Sequence, residues 1–241
     1  MPYRKRQFAN SQIYHVVMRG IDENLIFKNL DDYYRGIFSI YEFNTTKPVV
    51  IRDRRKARAY IKKLLEQKKK NSVSVVDLRD KLVEVLAFCL MPNHLHLLLR
   101  QLKDNGVTKF MTKVGTGYGG YFNRKYSRKG YVFQNRFVTV HVKNDEQLRI
   151  VFAYIHTNPI SLVEPKWKEK GIHNFQKVIE YLKIYRWSSY SDYIGVKNFP
   201  SVTDRRFILE TMGGEEACKE FIENWIKYKG KIREFAELAL E

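Results

Sequence analysis

"CLMPNHLHLLLR", residues 89–100, decides how this chain is read. Pro92-Asn93 supplies a turn between two apolar runs, so the stretch describes two antiparallel strands joined tightly. The incoming run, "LVEVLAFCLMP" (82–92), is too continuously apolar for a half-exposed strand and predicts a central one. The returning run, "HLHLLLR" (94–100), carries two imidazoles one residue apart. Alternate residues of a strand share a face. His94 and His96 therefore point the same way, while Leu95, Leu97 and Leu99 point into the core. Polar rings are costly to bury without partners. Two readings stand at this point: histidines satisfied by neighbouring hydrogen bonds, or two ligands of one divalent ion.

Outward from this hairpin, "SQIYHVVMRG" (11–20) predicts a first strand ended by Arg19-Gly20. "NLDDYYRGIFSIYEFN" (29–44) predicts a helix, with Asp31 and Asp32 suited to its first turn. "IRDRRKARAYIKKLLEQKKK" (51–70) holds ten Lys/Arg against two acids and is helix-forming. It reads either as a solvated helical insertion or as a phosphate-contacting arm. From 104 to 125, Val107, Phe110, Met111, Val114, Tyr118, Tyr121 and Phe122 recur at helical spacing, interrupted by Gly115, Gly117, Gly119 and Gly120. "YVFQNRFVTVHV" (131–142) predicts one long strand. In "NDEQLRIVFAYIHTNP" (144–159), Asn144 or Asp145 can cap a helix whose core stripe is Leu148, Val151, Phe152 and Ile155. Pro159 is expected to push Asn158 out of helical geometry. The order strand, helix, hairpin, helix, strand, helix is an α+β layout: an antiparallel sheet covered by helices. Beyond about residue 165 the chain turns mixed and aromatic. It then reads as helical, with "GEEACKEFIENWIKYKGKIREFAELAL" (214–240) the clearest segment.

A chain of 241 residues, 44% of them hydrophobic, fits one large domain or one domain with an extension. Its net charge of 44 − 26 = +18 favours phosphate backbones or anionic membranes. No run approaches the roughly 18 apolar residues of a membrane span, and "MPYRKRQFANSQ" lacks the apolar core of a signal peptide. Nucleic acid is the partner that remains, with no membrane role. Cys89 and Cys218 form no framework of bridges, which suits a reducing cytoplasm.

Two ligands hold a metal poorly, so a third is sought. At about 100° per residue, Tyr154 and Asn158 fall on one helical face, one turn apart, whereas His156 turns toward the other flank. If that helix crosses the sheet near His94 and His96, the Asn158 amide oxygen could complete the ligand set and the Tyr154 phenol would lie beside the ion. The plainer reading is that Tyr154 packs its ring and Asn158 ends the helix. A phenol is a poor nucleophile near neutral pH, because its pKa is near 10. A divalent ion that polarises a phosphate compensates. The resulting phosphotyrosine conserves bond energy for rejoining, so the constellation suits strand transfer better than hydrolysis. "GYGGYFNRKYSRKGYVFQNR" (117–136) interleaves aromatics with Arg124, Lys125, Arg128, Lys129 and Arg136, a combination suited to single strands. Together with Arg19, Arg54, Arg55 and Lys56, these are the candidate DNA contacts. Some of the aromatics belong to the core under the plainer reading.

Four blocks in this order, "YHVVMRG" (14–20), "MPNHLHLLL" (91–99), "YVFQNRF" (131–137) and "YIHTNP" (154–159), resemble the one-tyrosine HUH transposases. The branch they are most similar to is the REP-associated tyrosine transposases, and "RWSSYSDYIG" (186–195) is similar to the segment after the catalytic domain in that branch. The resemblance implies a ferredoxin-like α+β domain, placed over residues 1–165, while 166–241 reads from its own pattern as a mostly helical extension. The resemblance also implies His94, His96 and Asn158 as ligands of Mg²⁺ or Mn²⁺. It makes Tyr154 the nucleophile on single-stranded or hairpin DNA, leaving a 5′-phosphotyrosine and a free 3′-hydroxyl. A monomer or a homodimer is compatible with it. The basic segment around 46–80 departs from the compact pattern as an insertion, and the tail after about 195 matches no block. Two competitors remain open: a module that grips structured single strands without cutting them, and a metal-dependent nuclease that uses water.

Overall fold

The computed structural model describes residues 8–67, 77, 79–134 and 136–228, apart from the side chains of 55, 58, 61, 62 and 64–67. Four strands, β1 (Ile13–Arg19), β2 (Val83–Met91), β3 (His94–Gln101) and β4 (Val138–Val142), form one antiparallel sheet in the order β2-β3-β1-β4. Helix α1 (Leu30–Glu42) links β1 to β2, and α3 (Gly106–Lys125) links β3 to β4. The pattern β-α-β-β-α-β with β1 and β3 central is the ferredoxin-like split βαβ arrangement. The expected α+β class holds. Between α1 and β2 lies the basic helix α2 (Ile51–Gln67), and the remainder of the predicted 51–70 helix lies outside the described residues.

Local chemistry sets the helix starts. Asn29 caps α1 by accepting from the Asp32 backbone N–H, and Asn144 caps α4 (Asp145–Thr157) by accepting from that of Gln147 at 2.8 Å. One face of the sheet packs on α1 and α3 through Val16, Met18, Leu95, Leu97, Leu99, Phe110 and Val114. The other packs on α4, whose Leu148, Val151, Phe152 and Ile155 are buried as the helical stripe predicts. That second core continues into the later helices α6 (Phe175–Ile184), α7 (Tyr190–Tyr193), α8 (Arg206–Met212) and α9 (Glu215–Tyr228). The predicted C-terminal helix lies outside the described residues beyond 228.

Three expectations need correction. Strand β2 lies at the edge of the sheet, not its centre. It reads as central because its edge is covered. The Leu90 N–H donates to the Trp187 carbonyl, the Ser189 N–H to that of Phe88, and the Asp204 N–H to that of Val85. The chain after α6 thus caps the ladder that would otherwise invite aggregation. Next, the described residues of 131–137 are not strand: β4 begins only at Val138. Tyr, Val and Phe favour strands, but here Val132 and Phe133 are core anchors of a loop bridged to Gly20. Finally, Asn158 keeps helical angles (φ −53°, ψ −40°) despite Pro159, because the chain tightens into a 3₁₀ turn over Asn158–Leu162.

The glycines of α3 divide by what surrounds them. A Cβ at Gly117 would overlap the Phe43 ring, whereas one at Gly120 would meet only the mobile end of Arg124 at 3.5 Å. Gly117→Ala should therefore cost roughly 1–3 kcal/mol through forced repacking. Gly120→Ala should be neutral or stabilise by up to about 1 kcal/mol. Urea unfolding of the two variants measures both, and equal effects would refute the packing account.

Candidate active site

The α4-facing side of the sheet is built by strand alternation. In the β1–β3 register, Arg19 opposes His94 and Val17 opposes His96. His15, two residues before Val17, shares their face and sits diagonal to His96. Helix α4 lies on this face and delivers Tyr154, which is only 5% exposed. The rings of His94 and His96 are 4.8 Å apart. Tyr154 meets His96 at 5.6 Å and His15 at 5.7 Å, edge to face in both cases. The sequence-predicted His94, His96 and Tyr154 therefore come together from two elements far apart in the chain.

Each donor has a determined role. His94 Nδ1 donates to Asn93 Oδ1 at 2.6 Å, which puts the ring's lone pair on Nε2. His96 is fully buried; Nδ1 faces His15 Nε2 at 3.0 Å, and Nε2 is buried with no hydrogen-bond partner. Burial, then the neighbouring histidines, Lys168 and Arg19, hold the His96 pKa well below its usual value, so the ring is neutral near pH 7. Asn158 is buried one turn after Tyr154, and its Nδ2 donates to the Tyr154 carbonyl at 2.9 Å. Its amide oxygen is then the atom it can offer an ion. Among the described residues no three His, Cys, Asp or Glu side chains gather to hold a metal. Two imidazoles and an amide are instead an open, mixed N/O set, suited to Mg²⁺ or Mn²⁺ more than to a closed zinc site. The orphaned Nε2 of His96 is where these residues fit an ion.

Two members of the site were not read from the sequence. In the sequence His15 reads only as one residue of the first strand. Lys168, on the short helix α5 (Trp167–Lys170), places Nζ 4.6 Å from the Tyr154 ring centroid. It lies past the expected domain boundary at 165, where no motif pointed to it. His156 turns away as expected: Nε2 meets Ser189 Oγ at 2.8 Å, and burial pushes its pKa down to about 3.

The candidate DNA contacts separate. Arg19 lies beside His94 at the site. Arg124, Lys129 and Arg136 are exposed around the end of α3 and the loop before β4, and the Arg128 guanidinium lies 5.6 Å from the Phe122 ring. Lys125, itself exposed, instead pairs its ammonium with the buried carboxylate of Asp32, 2.8 Å from Oδ1. On α2, Lys56 is exposed and Arg54 approaches Glu42 at 3.5 Å, while the Arg55 side chain lies outside the described residues. Among the interleaved aromatics, Tyr118, Phe122 and Phe133 are core and Tyr131 is 77% exposed.

Residues 41–158 match the family model described as "Transposase IS200 like". Over this segment, just under half of the chain, the protein is similar to IS200-like transposases. The match contains His94, His96, Tyr154 and Asn158, and leaves His15, Arg19 and Lys168 outside it. No curated protein matches the chain. A solved structure described as "Structure of the REP associates tyrosine transposase bound to a REP hairpin" is similar at 12% identity with a TM-score of 0.45, covering 86% of this chain and 96% of that one. Among the described residues, no helix is long and apolar enough to cross a membrane.

Proposed function

We propose that the protein is a divalent-metal-dependent DNA strand transferase that cleaves and rejoins single-stranded or hairpin DNA through Tyr154. The observation that carries this reading is the packing of the Tyr154 ring against His96, with the Lys168 ammonium on the ring's face and Arg19 opposite His94. His94, His96 and Asn158 would hold Mg²⁺ or Mn²⁺, which when bound polarises the scissile phosphate and offsets its charge. The Tyr154 oxygen attacks phosphorus, the bond to the 3′-oxygen breaks, and the phenol proton ends on the released 3′-hydroxyl. The downstream fragment stays on Tyr154 as a 5′-phosphotyrosine, and attack by another 3′-hydroxyl reverses the step. Lys168 and Arg19 supply positive charge where a phosphate approaches. Tyr154 and His96 belong to one chain here, which supports action as a monomer; a homodimer would repeat the same site. The hairpin preference rests on the similarity of the four sequence blocks to REP-associated transposases, and the exposed cations after α3 provide a surface for the strand. A cytoplasmic location accords with the two buried free thiols, Cys89 and Cys218.

The test uses hairpin oligonucleotides labelled at either end, incubated with Mg²⁺, Mn²⁺ or EDTA and resolved on a denaturing protein gel. A metal-dependent covalent band carrying only the 3′-side fragment is expected. Hairpin binding without an adduct in any metal would instead make the protein a binding module. Lys168→Ala should slow adduct formation about two- to fivefold, the equivalent of losing one exposed cation–π contact, and Lys168→Arg should restore most of it. Single-turnover rates at saturating DNA measure this, and an unchanged rate in Lys168→Ala would remove Lys168 from the site.

A further inference from the structure

His15 meets the proposed ligand His96 head-on. The two ring centroids are 5.2 Å apart with 13° between the planes, and Nε2 of His15 lies 3.0 Å from Nδ1 of His96. The centroid distance is the N···N gap plus about one ring radius at each end. The two nitrogens thus point at each other along the line of centres. Two ligands of one ion would each turn off that line toward the ion, so this contact is a hydrogen bond and His15 is not a third ligand through Nε2.

One proton lies in that bond, and its place decides what His96 can do. Burial alone does not choose, because the two outer nitrogens, Nε2 of His96 and Nδ1 of His15, stand in the same position. A cation at His96 Nε2 does choose, because it needs that atom's lone pair and so requires the proton on His96 Nδ1. With the proton on His96 Nδ1, Nε2 keeps its lone pair and is ready to bind a cation. Resting on the metal-site reading above, we propose that His15 is a positioning residue: it accepts from His96 Nδ1–H and locks the tautomer in which Nε2 is a metal ligand. His94 is treated in the same way by a different group, the Asn93 side-chain oxygen. Both partners behind the ligands are neutral. A carboxylate in either place would add negative charge beside a site that must admit a phosphate, while imidazole and amide orient the ligands and keep the site positive.

The test uses the full chain, freed of metal by chelation, as wild type, His15→Phe and His15→Gln. Long-range ¹⁵N–¹H correlation spectra read the His96 tautomer without metal or DNA. Wild type should show His96 protonated on Nδ1, and protonation on Nε2 would overturn the proposal outright. Titration with Mn²⁺, followed by the electron paramagnetic resonance of the free ion, should show affinity weakened about 10- to 100-fold in His15→Phe. In His15→Gln, whose amide oxygen can still accept, affinity should stay within a few fold of wild type. Unchanged affinity in His15→Phe, or equal loss in both variants with thermal unfolding intact, would refute the acceptor role. Should His15→Phe fail to fold, the wild-type tautomer and His15→Gln still decide. A wild type that binds Mn²⁺ with His96 protonated on Nδ1 yet forms no DNA adduct would sink the transferase reading and leave this one standing.

Discussion

Tyr154→Phe is expected to abolish the covalent protein–DNA adduct, a loss of about 10³-fold or more, the scale on which removal of a nucleophile is felt. The expectation is sharp because the substitution is otherwise mild. Tyr154 is 5% exposed and packs its ring against His15 and His96, contacts that Phe retains. Deleting one hydroxyl leaves the ligands, Lys168 and the core stripe of α4 in place, so hairpin affinity and unfolding temperature should barely move. Adduct yield on denaturing gels, hairpin binding by anisotropy and thermal unfolding together check the three parts. Cleavage that persists in the variant would mean that water attacks the phosphate. Loss of binding together with the adduct would mean that Tyr154 is a contact and not the nucleophile. His96→Ala makes the complementary case: it should also abolish the adduct, but through lost Mn²⁺ affinity that a titration without DNA detects.

The parts of this site legible in the sequence are those written in a local period. His94 and His96 obey the two-residue alternation of a strand, and Tyr154 and Asn158 the four-residue turn of a helix, so spacing alone gives each pair its common face. His15 has no such mark. Its meaning depends on His96, 81 positions away, through a diagonal across two strands that only the sheet order supplies. Lys168 is further removed, because a four-residue helix in a charged stretch carries no pattern at all. Fold errors had the same origin. The apolar run of β2 correctly signalled complete burial, but whether a neighbouring strand or the 187–204 segment covers its edge is a tertiary fact. In 131–137, Val132 and Phe133 are buried for another reason, as plugs of a loop. Burial is written in composition, and the partner that provides it is not.

Asp32→Ala should be the most destabilising single change outside the hydrophobic core, by about 3–5 kcal/mol, because four donors lose one buried acceptor at once and each unmatched donor costs roughly 1–3 kcal/mol before reorientation toward solvent. Asp32 sits in the first turn of α1 with a fully buried side chain, and both its oxygens are saturated. Oδ1 accepts from Lys125 Nζ at 2.8 Å and the Tyr121 hydroxyl at 2.9 Å; Oδ2 accepts from the Tyr126 hydroxyl at 2.6 Å and the Lys28 N–H at 2.9 Å. These bonds tie the start of α1 to the end of α3, two elements that meet nowhere near each other in sequence. Alanine would leave four donors facing a void, whereas Asp32→Asn fills the space but turns an N–H₂ toward groups that can only donate or must reorient. The smaller loss for Asn, about 1.5–3 kcal/mol, isolates the charge-assisted part of the network. The pH dependence has a definite sign. Burial alone would raise the Asp32 pKa, but Lys125, the two phenols and the Lys28 N–H together hold it below its ordinary 3.8. Its folded value is therefore lower than its unfolded one, so its contribution is fully present above about pH 4 and lost as pH falls through the folded pKa. The stability gap between wild type and Asp32→Asn, measured by urea unfolding, should hold constant from neutral pH to about 5 and close below about 4. A gap that survived into stronger acid would mean that shape, and not the carboxylate's charge, is what Asp32 contributes.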